Sequence, residues 1–490
     1  MCQIENELLI QGENIMKHLQ ADIVVISAGS AGLAATVAAA EKGAKVITFE
    51  KASTTGGAGN FAQGPMAVES KLQRRKGYNF TVEEAFKLHM DFTHWQVDAR
   101  LVRAYYEKTA STIDWLEEKG VEFDDELSDH GAGNKKVWHR VKGQHIGGAG
   151  QAATLLKILT EKAKEYGAQI FLKTPVKSIL KKGKKITGVI AEDPYGEEIR
   201  VDAKAVIVAT GGFSNSPEML KKYTGFEFER EVYPVRNNRN ITGDGIRMAW
   251  KAGAAPTLMT LHMAHGLPDL EFMPLFQHPE LVVNLSGERF MNEEAMANTT
   301  FFGNAIARQK QKECFMIMDE NAKKYYQENG PRDGPFGAID LDAEIKKALA
   351  RGSQSIFVAD LLDEVAAKTG IDAAGLKRTV AEYNQACEKH RDDLFFKKAE
   401  NLRPVKEPKF YVGRISPHAL GTLGGIRINY KTEVLNKDLD VIPGLYAAGL
   451  DANSIYGDSY PWIMSGNTFG FAINSGRMAG ENAAEYIKSI

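Results

Sequence analysis

Cysteine is scarce: Cys2, Cys314 and Cys387 are the only three in 490 residues, and they stand far apart. They form no C-x-x-C pair, no haem-attachment C-x-x-C-H and no iron–sulfur spacing. This excludes a disulfide scaffold and a resident metal cluster, and a reducing cytoplasm is the expected location. Long apolar runs are lacking too. No stretch approaches the ~18 apolar residues of a membrane span, and the N-terminus shows neither a signal-peptide core nor a twin-arginine pair, so neither membrane insertion nor export is expected. Charge of one sign is also missing: 61 Lys+Arg against 63 Asp+Glu leave a net charge of -2. That balance gives no electrostatic reason to bind nucleic acid or an anionic membrane. His130, His139 and His145 match no zinc spacing and have no cysteine nearby, so they read as loop histidines and no metal is expected. Internal repeats and low-complexity tracts are absent.

What remains is an ordinary globular composition, 43% hydrophobic and 25% charged. The chain is too long for one compact core, so two or three domains are expected. The informative stretch is 21–50, ADIVVISAGSAGLAATVAAAEKGAKVITFE, which reads as strand, tight turn, helix, strand. Ile23 to Ile26 suit a buried parallel strand. In the turn Ser27-Ala28-Gly29-Ser30-Ala31-Gly32, Gly29 lets backbone approach a pyrophosphate and Gly32 lets the helix pack close to the strand. The Ala-rich helix over 30–42 would turn its N-terminal N–H groups to the phosphates. Glu50, ending the second strand, is placed to accept from a ribose. Ser27 stands where G-x-G-x-x-G has its first glycine. The fingerprint rests on context: strand before, helix after, acid at the right distance. A plain βαβ unit with a glycine-rich turn is the bland alternative.

The stretch Lys51 to Gly64, with Gly56, Gly57 and Gly59 beside Ala58 and Asn60, suits backbone running along a flat ligand; a surface loop is the alternative. Residues 1–20 read as a peripheral extension. Helical periodicity covers 82–120 and 151–166. Val176 is placed in a turn, followed by an antiparallel insert at 177–182, 186–192 and 197–202. Ala205 to Phe213 is a buried strand ending in Ala209-Thr210-Gly211-Gly212, the second half of a two-part nucleotide site. Asp244, in Thr242-Gly243-Asp244-Gly245, reads equally as an acid at a helix start or as a holder of a ligand hydroxyl. From about 266 to 417 prolines and charged helices (342–351, 359–369, 373–390) suggest a separate α+β module with few apolar strands. Strands return over 426–446, ending in Gly444 to Gly449. Ser465-Gly466-Asn467-Thr468 starts a last helix over 468–487 whose N-terminus offers free N–H groups.

Taken in order, ISAGSAGLAA, FEK…TGGAGN, VIVATGGF, TGDG, GERFMNE and GLYAAG resemble the fumarate reductase and succinate dehydrogenase flavoprotein family, over roughly residues 21–487. Within it the chain looks closer to the 3-ketosteroid dehydrogenase-like branch than to true fumarate reductases. The resemblance implies an α/β fold: a Rossmann-like FAD-binding domain, discontinuous over 1–265 and 418–490, with an inserted α+β capping domain at 266–417. It implies FAD held by Ala28, Gly29, Ser30, Ala31, Gly32, Glu50, Lys51, Gly56, Gly57, Ala58, Asn60, Val176, Ala209, Thr210, Gly211, Asp244, Gly449, Asn467 and Thr468. It also implies hydride exchange between flavin N5 and an activated C=C bond, with the active site between flavin and cap. Ala58 falls where respiratory members carry a flavin-linked histidine, so FAD is expected to be non-covalent.

Several departures narrow the substrate. The proton-donating arginine of soluble fumarate reductases, eight residues after the motif arginine (Arg289 here), becomes Ala297. The family's His-His-Thr-x-Gly-Gly becomes Leu420-Gly421-Thr422-Leu423-Gly424-Gly425, and a late arginine becomes Ile463. A dicarboxylate needs cationic, donor-rich walls to offset its desolvation, so fumarate and succinate are poor candidates. Instead, Ile455 to Met464 is apolar and phenolic and is similar to the ketosteroid dehydrogenases. There Tyr460 is the first candidate for polarising a carbonyl or handling a proton, Tyr456 the second, and Asp458 a candidate to orient either; packing is the alternative for both tyrosines. His278, in Gln277-His278-Pro279, is a pocket-lining or a structural residue. The expected substrate is a hydrophobic cyclic small molecule, a steroid enone or a polyphenol of isoflavonoid type. The rivals are an organic-acid reductase using Arg247, Arg289 or Arg427, and a non-catalytic electron-relay subunit. The external electron donor or acceptor is left open among NAD(P)H, a ferredoxin-like protein and a membrane donor.

Overall fold

The computed structural model describes residues 17–128, 135–143, 150–234, 240–269, 274–330 and 340–490. His130, His145 and residues 1–16 lie outside them. A parallel ladder organises the first sheet. The strand Lys17–Ile26 runs between Val46–Phe49 and Glu198–Val208, parallel to both. Ile23, Val24 and Val25 are wholly buried, as a strand covered on both faces requires. Gln169–Phe171 extends the sheet beyond Val46–Phe49, and Val441–Ala447 extends it beyond Glu198–Val208, both in parallel. Glu433–Leu435 closes that edge antiparallel.

Three expectations shift here. Lys17 to Gln20 belong to the first strand and not to an extension, because the partner strand is long enough to pair them, Lys17 with Ile199 and Gln20 with Asp202. That partner is one continuous strand ending at Val208, merging the segment expected at 197–202 with the start of the one expected from Ala205 to Phe213. Val176 opens the strand Val176–Lys182, which forms a hairpin with Lys185–Glu192, and is not in a turn.

The helix Ser30–Glu41 is buried along almost its whole length, so its sequence carries no polar stripe. It packs on the last helix, Asn467–Lys488, through small residues: a Cβ on Gly476 would lie 2.2 Å from the Ala31 carbonyl oxygen, and one on Gly480 2.3 Å from that of Ala35.

The second sheet is built on the strand Phe410–Leu423. Its first half pairs antiparallel with Cys314–Met318 and Ile356–Ala359; its second half pairs antiparallel with Thr260–Gly266, with a bulge between Ala419 and Gly421. Leu281–Val283 borders Cys314–Met318, and Tyr233–Pro234 joins at His418 and Ala419. This one strand runs through position 417, and Thr260–Gly266 ahead of residue 266 belongs to the same sheet. The helices Leu341–Ala350, Leu362–Thr369 and Ala373–Glu388 accompany it, with Ala359 ending a strand where a helix start was expected. A buried ion cluster ties the GERFMNE segment to Asp392, which follows the helix Ala373–Glu388. Arg289 donates to both Glu293 oxygens at 2.8 Å and to Asp392 at 2.8 and 3.0 Å, and is itself 4% exposed. Burial pushes the Asp392 carboxyl up, but Arg289 prevails and holds it down at about 2.

Candidate active site

The parallel strands end in register at one edge. The Ser27 N–H donates to the Phe49 carbonyl at 2.7 Å, Ala209 to Ile26 at 3.1 Å and Ala448 to Val208 at 2.9 Å. A cavity of about 550 Å³ opens at this edge, where open α/β sheets receive their ligands. Of the cofactor residues expected from the sequence, Gly29, Ser30, Ala31, Glu50, Lys51, Gly57, Ala58, Asn60, Val176, Ala209, Thr210, Gly211, Asp244, Gly449 and Thr468 line it.

Four others act from behind the wall. A Cβ on Gly32 would fall 1.9 Å from the Ser27 carbonyl oxygen, so that position sets the helix-to-strand approach. Gly56, at φ +97°, donates its N–H to the Ala28 carbonyl at 2.8 Å and holds the glycine loop to the turn. Ala28 donates its own N–H to Glu50 at 2.8 Å. Asn467 serves the aromatic cluster described below.

Ser27 repays its departure from glycine. Its backbone takes φ +89°, a region L-residues occupy at a cost, yet its hydroxyl donates to Glu50 Oε2 at 2.9 Å and accepts the Gly29 N–H at 3.1 Å. Glu50 Oε1 accepts the Ala52 N–H at 2.8 Å, so the carboxylate is fixed at the strand end from three sides. Lys51 Nζ donates to Asp244 at 2.7 Å and to Thr242 Oγ1 at 2.8 Å, and Arg247 reaches Asp244 at 2.9 Å. Asp244 opens the helix Asp244–Lys251, the first of its expected descriptions, and lines the cavity. Burial works to raise its carboxyl, and Lys51 draws it below its ordinary value.

Sequence reasoning missed Asp451. It is fully buried, and its carboxylate gathers the N–H and hydroxyl of Thr210 and the Gly212 N–H, the last at 2.8 Å. With no cation beside it, burial pushes the carboxyl up to about 6 despite those donors. It binds the Ala-Thr-Gly-Gly turn to the segment after Gly449. The only signal in the sequence is its place two residues after GLYAAG.

At the other end of the cavity the wall is aromatic and apolar: Trp138, His262, Leu420, Tyr460, Trp462 and Phe469. Tyr460 is buried, and its Oη accepts the Thr468 N–H at 3.0 Å. Burial drives the phenol up to about 12, moderated by hydrogen bonds from the Thr468 side chain and from the backbone of Thr468 and Asn467. His262, which the sequence reading passed over, stacks on Tyr460 with ring centroids 3.8 Å apart and meets Thr468 Oγ1 through Nδ1 at 3.3 Å. Burial drives this imidazole down to about 3, so it is neutral.

The other two catalytic candidates lie elsewhere. Tyr456 does not line the cavity. It is buried against Tyr460 and His89, and its hydroxyl donates to Asn467 at 3.0 Å. Tyr105 donates to the same amide oxygen at 2.8 Å, so Asn467 is the hub of a tyrosine cluster beneath the last helix. Asp458 is exposed and hydrogen-bonds neither tyrosine, because the positive-φ Gly457 turns the chain outward between them. His278 is stacked on Tyr326 with centroids 3.8 Å apart, away from the cavity, and its role is structural. His139 lies in irregular chain as expected but is buried, bonded to Ser70 Oγ at 2.7 Å.

The site fits the flavin dinucleotide that the sequence implies. The helices Ser30–Glu41 and Asn467–Lys488 both start at the cavity, and neither N-cap residue makes a side-chain bond; the Thr468 N–H of the second helix is taken by Tyr460, and the other first-turn N–H groups suit phosphate or carbonyl oxygens. Glu50 lines the cavity at the end of the second strand, a carboxylate of the kind that fits a ribose hydroxyl. At Gly466, φ +77°, a Cβ would meet the Trp138 ring at 2.2 Å, so only glycine brings that indole to the second helix start.

Comparison with known proteins agrees. The family model for the FAD binding domain matches residues 22–467. A vinyl phenol reductase of Lactiplantibacillus plantarum is 34% identical over 498 residues, covering 96% of this chain and 98% of that protein. A fumarate reductase (cytochrome) of Shewanella frigidimarina is 30% identical, covering 96% of this chain and 78% of that protein. Among solved structures, a 3-ketosteroid-Δ4-(5α)-dehydrogenase from Rhodococcus jostii RHA1 in complex with 4-androstene-3,17-dione superposes with a TM-score of 0.74 at 24% identity, covering 95% of this chain and 97% of that one.

Proposed function

From the premise that this chain belongs to the FAD binding domain family and is an FAD-dependent oxidoreductase acting on carbon–carbon bonds, we propose that its substrate is a neutral, ring-bearing alkene and not a dicarboxylate. One observation carries this reading. Among the described residues lining the cavity, Lys51 is the sole Lys or Arg, and it is already paired with Asp244 at 2.7 Å. A dianion entering here would lose its hydration without cationic compensation. The aromatic wall suits a flat conjugated ring instead. The arginines of the rival organic-acid reading are committed or remote: Arg289 is locked between Glu293 and Asp392, Arg247 is bonded to Asp244, and Arg427 is exposed and outside the lining. The relatedness to a vinyl phenol reductase supports the phenolic form of the substrate over the steroid form.

The residues divide the work. Glu50, the glycine loop and the two helix starts hold FAD, with Ala58 offering no atom for a covalent link. Bound FAD supplies hydride exchange at its flavin N5. Tyr460 keeps its proton at neutral pH, since its phenol sits at about 12. Its oxygen already accepts from Thr468, which leaves the O–H to donate to charge developing on the substrate. Trp462, Leu420 and Trp138 exclude water around the ring.

The test is reoxidation of the anaerobic, dithionite-reduced holoenzyme. Addition of 4-vinylphenol should restore the oxidised flavin spectrum, a steroid enone should do so more weakly, and fumarate should leave it bleached. Recovery with fumarate alone would overturn the assignment.

A further inference from the structure

His262 is 1% exposed, lies on the strand Thr260–Gly266 and lines the cavity beside Tyr460, yet its Nε2 has no hydrogen-bond partner. Polar atoms this deeply buried are nearly always paired, so an orphan at a cavity wall points to a ligand. Its neighbours decide which hydrogen-bonding role is vacant. Thr468 Oγ1 lies 3.3 Å from His262 Nδ1, and the Thr468 side chain also bonds the Tyr460 phenol. With its proton on Nδ1, toward Thr468, the neutral imidazole carries a lone pair on Nε2, and the vacancy is then for a hydrogen-bond donor. A carboxylate or an ether has no proton to offer this atom; a hydroxyl has.

We propose that His262 is the specificity residue of this site, accepting a hydrogen bond at Nε2 from a hydroxyl on the substrate ring and so selecting a free phenol over its methyl ether. The assignment rests on the neutral-alkene reading and deepens it. Tyr460 stacks on the imidazole and Thr468 Oγ1 meets its Nδ1, so the ring is placed before the substrate arrives. A buried acceptor of this kind penalises a substrate lacking the donor more than an exposed one would, because it is then left unpaired.

The experiment is equilibrium binding to the oxidised holoenzyme, followed by flavin absorbance and calorimetry, with 4-ethylphenol and 4-ethylanisole as non-reacting probes. The parent should bind the phenol at least about tenfold more tightly. His262→Phe, which keeps an aromatic ring over Tyr460, should abolish the preference by weakening phenol binding while leaving the anisole unchanged. His262→Gln, which restores an acceptor, should recover part of it. Equal affinities in the parent, or an undiminished preference in His262→Phe, would overturn the assignment. If a variant loses its flavin, the parent's ratio alone decides. Failure of the parent to bind either probe would defeat the neutral-alkene reading itself, and this assignment with it.

Discussion

Tyr460 and Tyr456 stand four residues apart, are both buried, and both make their hydroxyl contacts at the start of the last helix. Replacing each by phenylalanine separates a chemical role from a packing role. In Tyr460→Phe the Thr468 N–H loses its partner; in Tyr456→Phe the Asn467 amide oxygen loses one of two tyrosine donors. Both variants lose buried hydrogen bonding at the helix start, so each should lose ~1–2 kcal/mol of stability in urea denaturation. Turnover should part them. Only Tyr460 lines the cavity, and loss of its donated proton should lower kcat by ~10²–10⁴-fold with FAD content unchanged. Tyr456→Phe should keep kcat near the parent value. The assay is stopped-flow reoxidation of the reduced flavin by 4-vinylphenol, run beside the flavin absorbance of each purified variant. Equal losses of kcat in the two variants, or full turnover in Tyr460→Phe, would refute the assignment of the proton to Tyr460.

Two further predictions follow from local geometry and burial. Ser27→Ala keeps the φ of +89° and loses both hydroxyl bonds, whereas Ser27→Gly loses the bonds but relieves the strain, so the alanine variant should be less stable by ~1 kcal/mol in urea; the reverse order would sink the strain argument. Burial holds His89, His139 and His265 down at about 4 and His262 at about 3, all below the unfolded value of 6.5, so their contribution to stability is complete above pH 6.5 and is lost as pH falls toward 4. Each contributes a slope of ~1.4 kcal/mol per pH unit inside that window. Asp451 opposes them: its carboxyl is raised from 3.8 to about 6, so its contribution is fullest below 3.8 and fades as pH rises through 6. The buried Glu280, raised likewise by burial, acts in the same sense as Asp451. Four histidines against two carboxylates should leave the holoenzyme's urea midpoint falling on acidification from pH 6.5 to pH 4.5, and a flat or rising midpoint would contradict the burial of the histidines.

The parts of the molecule legible in the sequence are those whose geometry is local. The strand, turn, helix and acid of residues 21–50 carry their own register, and Ser27 in place of glycine did not disturb it because a hydroxyl bonded to Glu50 accompanies the strained backbone. The apolar run before Thr210 likewise announced a second buried strand end. What stayed hidden is what the fold brings together from afar. His262 meets Thr468 from 206 positions away, and Asp451 meets Thr210 from 241. No periodicity or spacing reports such a pair. Tyr456 and Tyr460 looked interchangeable because only the positive φ of Gly457 between them places one in the cavity and the other beneath it.

Charge shows the same limit from the other side. Arg247, Arg289 and Arg427 are all visible as cations in the sequence, and any of them was a reasonable anchor for a substrate carboxylate. The structure commits Arg289 to two carboxylates in the ion cluster and Arg247 to Asp244, and leaves Arg427 in solvent away from the cavity. The Arg289 guanidinium, bonded to the buried Glu293 and Asp392, cannot be lent to a ligand without leaving them uncompensated, which costs ~3–5 kcal/mol. On the proposed reading, selectivity follows from which charges the fold has already neutralised, since the sole Lys or Arg among the described lining residues, Lys51, is paired with Asp244.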